Sequence, residues 1–171
     1  SFGVSAAVNA WAQQELTGGG TSNYFGLSVA SAGDVNGDGY ADVIVGAFGY
    51  SSSTGRVYIY HGTASGIGSS ATRTLTGEDT GDSFGYSVAS AGDVNGDGYA
   101  DVIIGAYGND GAASGAGEAY VYMGSGYGIE VVSLWSAQGE AQSDAFGMSV
   151  ASAGDINGDG YDDVVVGAYG N

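Results

Sequence analysis

Nine residues, Asp34-Val-Asn-Gly-Asp-Gly-Tyr-Ala-Asp42, hold three carboxylates and a carboxamide around two glycines. Oxygen-bearing side chains stand at loop positions 1, 3, 5 and 9 (Asp34, Asn36, Asp38 and Asp42). Gly39 permits a sharp turn at position 6, and the Tyr40 carbonyl is available at position 7. Hard oxygen donors in a flexible loop suit calcium; zinc and copper prefer nitrogen and sulfur. The first seven positions follow the start of an EF-hand loop. The last carboxylate, however, falls at position 9 rather than 12, and strand-like rather than amphipathic helical segments flank it. Asp, Asn and Gly also build turns that bind nothing, so one copy would carry little weight. There are three. The stretch returns as DVNGDGYAD at 93–101 and as DINGDGYDD at 155–163, each time with the same oxygens at the same positions.

The elements that position these loops repeat with them. Phe25-Gly26, Phe84-Gly85 and Phe146-Gly147 precede the three loops, Gly46-Ala47, Gly105-Ala106 and Gly167-Ala168 follow them, and Gly18, Gly77 and Gly139 keep the same period. A fixed period of this length marks a structural module. The spacing between the second and third copies is longer than between the first and second. The extra residues fall near GNDGAASGAG (108–117), which reads as a surface loop.

Within a unit the pattern is one of short strands. FGYSVASAGD (84–93) alternates large and very small residues, so one of its faces must lie close to a neighbour. DVIIGAYG (101–108) is a β-branched run of the kind buried on both faces. RVYIYHG (56–62) and EAYVYMG (118–124) carry alternating tyrosines. The more polar AQQELTG (12–18), TRTLTG (72–77) and SLWSAQG (133–139) suit an outer edge. Four antiparallel strands per unit, none able to bury both faces alone, predict an all-β fold of propeller blades. The units are a partial outer strand at about 1–18, then 19–77, 78–139 and a partial unit at 140–171. Aligning them sets Ser1-Phe2-Gly3 opposite Tyr60-His61-Gly62 and Asn171 opposite Tyr50. About three units fall short of the four to eight blades that close a propeller. The expected partners are therefore further blades or copies of the chain itself, with AQQELTG serving as the outer strand of a blade whose inner strands come from 144–169 of another chain.

Charge and composition exclude other classes. The chain of 171 residues has a net charge of −17, with Arg56 and Arg73 its only cationic side chains apart from one histidine. Nucleic acid and anionic lipid surfaces are thereby disfavoured as partners. There is no cysteine and hence no thiolate metal site. The apolar runs are too short to span a membrane, and no basic-then-apolar segment opens the sequence.

In the order Phe-Gly, nine-residue acidic loop, Gly-Ala, the units resemble the FG-GAP repeats of the integrin α-chain N-terminal β-propeller and of many bacterial surface proteins. The resemblance implies calcium at three sites. The side-chain ligands it implies are Asp34, Asn36, Asp38 and Asp42; Asp93, Asn95, Asp97 and Asp101; and Asp155, Asn157, Asp159 and Asp163. The carbonyls of Tyr40, Tyr99 and Tyr161 would complete the sets. It also implies an extracellular or cell-surface scaffold for adhesion or ligand binding. Phe48, Tyr107 and Tyr169 stand where the family has the proline of its third landmark.

The remaining candidates point away from catalysis. His61 is the only histidine, and its counterparts Phe2 and Met123 mark a partly buried strand end. Glu118 takes the place of Arg56 at what reads as an exposed strand start. Trp135 lies on an outer strand as a blade cover or as a sugar-stacking platform, so glycan binding is the alternative function, with a polysaccharide-degrading propeller enzyme beside it. Phe25, Phe84, Phe146, Tyr58, Tyr60, Tyr120 and Tyr122 read as packing between blades. No enzyme activity is expected.

Overall fold

The computed structural model describes residues 3–9 and 12–170. It opens with a hairpin, β1 (Gly3–Asn9) and β2 (Ala12–Thr17). A first complete blade follows: β3 (Val29–Gly33), β4 (Asp42–Ala47), a turn α1 (Tyr50–Ser53), β5 (Arg56–Tyr60), a miniature hairpin of β6 (Gly62–Thr63) and β7 (Gly66–Ile67), and β8 (Arg73–Thr76). The second blade is β9 (Ser87–Gly92), β10 (Asp101–Ala106), β11 (Glu118–Tyr122) and β12 (Ser133–Gln138). A half blade, β13 (Phe146–Gly154) and β14 (Asp163–Ala168), closes the sequence order. The sheets run β3-β4-β5-β8 and β9-β10-β11-β12, all neighbours antiparallel, while β1-β2 and β13-β14 are two-stranded sheets of their own. The described residues form no closed ring. None of their helices is long and apolar enough to cross a membrane.

The β-branched second strands sit between blades, as their composition requires. Ile44 faces the second blade and Ile103 the half blade, both fully buried. Small side chains then allow the blades to close up. A Cβ on Gly46 would strike the Gly85 carbonyl of the next blade, and one on Gly105 would strike the Gly147 carbonyl. Across the same gaps Ser28 Oγ donates to Gly85 O and Ser87 Oγ to Gly147 O, each at 2.7 Å. Larger residues fill the outer part of each joint. Phe84 packs edge-on to Tyr120 and Tyr122, with ring centroids at 5.6 and 6.2 Å, and shares its core with Leu75 of the preceding blade. Leu16 of β2 meets Phe25 in the same way.

Two details depart from the sequence reading. Residues 3–9, aligned with 62–68, do not repeat the β6–β7 hairpin. They form one strand on β2, in the register that β5 has on β8: Gly3 pairs with Thr17 and Val4 with Leu16, as Arg56 pairs with Thr76 and Val57 with Leu75. Ser1 and Phe2 lie outside the described residues. The second departure concerns the aromatics in place of the proline. Phe48 stacks on Tyr24 (4.7 Å) and touches Tyr86 (5.2 Å), which in turn meets Tyr107 (4.4 Å), so an aromatic row links the turns of adjacent blades.

Removing the buried Phe84 ring from its joint should leave a cavity that rigid sheets cannot close. Phe84→Ala is expected to cost about 3–5 kcal/mol in equilibrium denaturation; a loss below about 1 kcal/mol would show that the joint is not a packed core.

Candidate functional site

Each acidic loop joins the first and second strands of a blade, and in all three the first aspartate organises the backbone. Gly37 and Asp38 N–H donate to Asp34 Oδ1 at 2.7 and 3.1 Å, and Gly39 N–H donates to Oδ2 at 2.8 Å. The same three bonds recur on Asp93 at 2.7, 3.1 and 2.9 Å and on Asp155 at 2.7, 3.1 and 2.9 Å. Such a wrap needs left-handed backbone at position 4, which Gly37 supplies with φ of 72°. The third and fifth positions are tied together: Asn36 Nδ2 donates to Asp38 Oδ2 at 3.0 Å, and Asn95 and Asn157 repeat the bond to Asp97 and Asp159 at 2.9 Å. Tyr40, Tyr99 and Tyr161 N–H donate to the position-5 carboxylates.

The ninth-position aspartate closes the loop from beneath. Asp42 Oδ2 accepts from Val35 N–H (2.9 Å) and Oδ1 from Gly62 N–H (2.8 Å) at the end of the third strand; Asp101 takes Val94 and Gly124 in the same way. Asp163 Oδ2 accepts from Ile156 N–H, and among the described residues no third-strand N–H reaches its Oδ1.

The electrostatics of the site are those of concentrated acid with little counter-charge. Asp42 and Asp101 are 1% and 0% exposed. Burial pushes both carboxyls above the usual range, against the pull of their N–H donors. Exposed Asp38 and Asp155 move the other way, held low chiefly by the N–H groups of Tyr40 and Gly160 respectively. Neither arginine helps. Arg56 lies over the Tyr50 ring at 3.7 Å and donates to Thr76 Oγ1, and Arg73 Nε is buried without a hydrogen-bond partner. Among the described residues no three His, Cys, Asp or Glu side chains are gathered into a group that would hold a metal by themselves. What each loop offers is a mixed oxygen set of carboxylates, carboxamide and main-chain carbonyl, and its chemistry fits a hard divalent ion.

The loops also touch one another. Asp34 O accepts from Ala100 N–H of the next loop and Asp93 O from Asp162 N–H, both at 3.0 Å. The Tyr99 ring lies where a side chain on Gly37 would be, and Tyr161 does the same at Gly96.

The FG-GAP-like repeat profile matches residues 34–104 and 93–166, each match running from one acidic loop through the strands and into the next. The chain belongs to the FG-GAP repeat family. It is similar to integrin alpha-4 of Xenopus laevis, 38% identical over 153 residues that cover 86% of this chain and 14% of that protein. It is 40% identical to mouse integrin alpha-IIb over 163 residues, covering 87% of this chain and 15% of the relative. To human integrin alpha-IIb it is 38% identical over 169 residues, covering 91% and 16%. The chain thus spans about a seventh of the length of these relatives.

Other residues of this FG-GAP chain find less expected places. His61 is half-buried just beyond β5, as its apolar counterparts suggested, but its Nδ1 lies 3.1 Å from Asn36 Nδ2. Met123 Sδ accepts from Asn95 at the same place in the second blade. The residue after the third strand therefore braces the position-3 amide, a role hidden from sequence because it unites a histidine with a methionine. Glu118 does stand at a strand start, but it is buried rather than exposed. Gln138 of the outer strand donates Nε2–H to its Oε2 at 2.8 Å and covers it. Trp135, 42% exposed, lines a groove between the second blade and β14.

Asp82 is another buried acid outside the loops. It accepts Asp79 N–H at 2.9 Å; burial chiefly, with Asp79, Asp110 and Glu118 adding repulsion, raises its carboxyl above the ordinary value. A raised folded-state pKa means that the folded form holds the proton more tightly than the unfolded one, so stability is lost as pH climbs through the folded value. Asn23 occupies the same place in the first unit and keeps an acceptor oxygen. Asp82→Asn is therefore expected to raise the melting temperature at about pH 7 and to lose that advantage towards about pH 4, where the unfolded carboxyl also protonates. A gain that does not shrink on acidification would show that charge is not its source.

Proposed function

We propose that this FG-GAP chain is a calcium-binding propeller module, extracellular or at the cell surface, that serves as a scaffold for adhesion or ligand binding and not as an enzyme. The observation that carries the reading is the threefold repetition of one loop geometry in which acid is concentrated, partly buried and unaccompanied by any arginine or lysine. In this reading Asp34, Asn36, Asp38 and Asp42, with the Tyr40 carbonyl, hold the first ion. Asp93, Asn95, Asp97, Asp101 and Tyr99 hold the second, and Asp155, Asn157, Asp159, Asp163 and Tyr161 the third. The ion supplies positive charge to a loop whose carboxylates otherwise repel one another, so binding free energy becomes folding free energy. Affinities of the weak extracellular kind, with Kd of about 0.1–1 mM, would saturate outside the cell. The naming of the relatives as integrin alpha subunits supports adhesion as the context. Partners of the scaffold are further blades or copies of the chain, and a protein or glycan ligand. Catalysis lacks support: the single histidine braces a loop amide.

Calorimetric titration should give three calcium ions per chain, and thermal unfolding in chelator should begin well below that in millimolar calcium. Asp97→Ala should reduce the stoichiometry to two while leaving the fold intact. Equal melting midpoints with and without calcium would defeat the proposal; preferential binding of magnesium would correct the ion.

A further inference from the structure

All three Asn-Gly pairs of the chain, Asn36-Gly37, Asn95-Gly96 and Asn157-Gly158, fall at positions 3 and 4 of the acidic loops. The loop imposes the pair. Position 3 offers a carboxamide oxygen, and position 4 takes left-handed φ of 72°, 75° and 76°, which favours glycine. The pair is also chemically fragile. A glycine nitrogen, with no Cβ beside it, is free to attack the carboxamide carbon of the asparagine before it, closing a five-membered imide.

The folded loop withholds both reactants. The nitrogen must shed its proton before it attacks, but Gly37 N–H donates to Asp34 Oδ1, Gly96 N–H to Asp93 Oδ1 and Gly158 N–H to Asp155 Oδ1, each at 2.7 Å. The hydrogen bond favours the protonated nitrogen, and the carboxylate's charge opposes an anion beside it. The carboxamide is pinned at both ends. Asn36 Oδ1 accepts Asp38 N–H at 3.0 Å while Nδ2 donates to Asp38 Oδ2 at 3.0 Å; Asn95 with Asp97 and Asn157 with Asp159 repeat the pair of bonds. His61 Nδ1 and Met123 Sδ brace the nitrogens of Asn36 and Asn95 from the other side. Nor can the glycine swing towards the carbon in the first two loops, because the rings of Tyr99 and Tyr161 lie against Gly37 and Gly96.

We infer that Asn36, Asn95 and Asn157 are deamidation sites kept unreactive by the wrap around the first aspartate, so that a loop that opens is altered covalently. In the open loop the glycine nitrogen bonds to the asparagine Cγ, the Cγ–Nδ2 bond breaks, and ammonia leaves with the proton from the glycine nitrogen. Water then opens the imide. Its hydroxyl adds to one of the two ring carbonyl carbons and its proton goes to the ring nitrogen. Addition at Cγ gives aspartate; addition at the main-chain carbon gives isoaspartate. Either product adds a negative charge at position 3. Isoaspartate also lengthens the main chain by one carbon between positions 3 and 4, which takes the glycine N–H out of register with the first aspartate. The loop then cannot rewrap as before, and the reaction records that it opened. The inference stands on the hydrogen bonds of the loop and needs no bound ion.

Prolonged incubation of the whole chain near neutral pH in millimolar calcium, beside a sample in denaturant, tests this. Peptide mass mapping and enzymatic methylation of isoaspartate read each site separately. In the folded chain all three asparagines should convert roughly tenfold or more slowly than in denaturant, since reaction waits on local opening. Asp93→Ala removes the acceptor of the second loop alone and should bring Asn95 close to its denatured rate while Asn36 stays slow. Should that variant not fold, Asp93→Asn keeps one oxygen for the Gly96 N–H but lacks the charge; it should speed Asn95 by an intermediate factor with Asn36 again unchanged. Wild-type Asn36 and Asn95 converting at their denatured rates would overturn the inference. So would either variant, folded, with Asn95 as slow as in wild type.

Discussion

The first aspartate of each acidic loop carries two duties that the rest of the structure depends on. Its carboxylate gathers three N–H groups and so fixes the loop. In Asp34 and Asp93 its carbonyl receives an N–H from the following loop and so fixes the blade joint. Loop shape and blade spacing are therefore not independent. A loop that loosens its wrap moves the carbonyl on which the next blade hangs. A carboxylate is needed for the first duty because three converging N–H dipoles favour an anion. The structure must then accept dense negative charge at every joint, and the chain carries almost no basic residue to offset it.

That joint also explains the composition. Blade faces approach so closely near the axis that Gly46 and Gly105 lie against main-chain carbonyls, and hydroxyls of serine make the polar contacts. Further out the gap widens, and Phe84, Tyr120, Tyr122 and the β-branched strands fill it. A gradient from glycine and serine through valine and isoleucine to aromatic rings is what a wedge-shaped space between twisted sheets requires. The aromatic row through Tyr24, Phe48, Tyr86 and Tyr107 shows how this chain manages without the family's proline: ring contacts between successive turns hold positions that a fixed φ would otherwise hold.

Much of this was legible in the sequence because it repeats. The period located the loops, the alternation of Ser, Ala and Gly located the close-packed strand, and the run Asp101–Ala106 announced a strand buried on both sides. What escaped was what differs between units. Glu118 looked exposed because its counterpart is Arg56, but burial there is decided by Gln138 across the outer strand. His61 and Met123 looked like spare apolar positions, yet both touch the position-3 amide, a contact that an imidazole nitrogen and a thioether sulfur can each make. Residues 3–9 followed the repeat in alignment but not in structure. That segment pairs directly with β2, taking the register that β5 has on β8.

The two departures from symmetry meet at one place. Where a third strand follows the loop, as after Asp42 and Asp101, its terminal N–H enters the ninth-position carboxylate and the loop is packed from below. At the third loop Asp163 is partly exposed and Ile156 is on the surface, although the upper part of the loop keeps the same hydrogen bonds as the others. The wrap around the first aspartate is thus a property of the nine residues themselves, whereas the burial of the ninth is a property of the blade. On the proposed calcium reading, affinity would draw on both: the wrap orients the oxygens, and burial removes the water that would compete for the ion. On the proposed calcium reading, a loop whose ninth aspartate is buried beneath it should therefore hold the ion more tightly than one whose ninth aspartate is partly exposed, even where the nine residues are nearly the same.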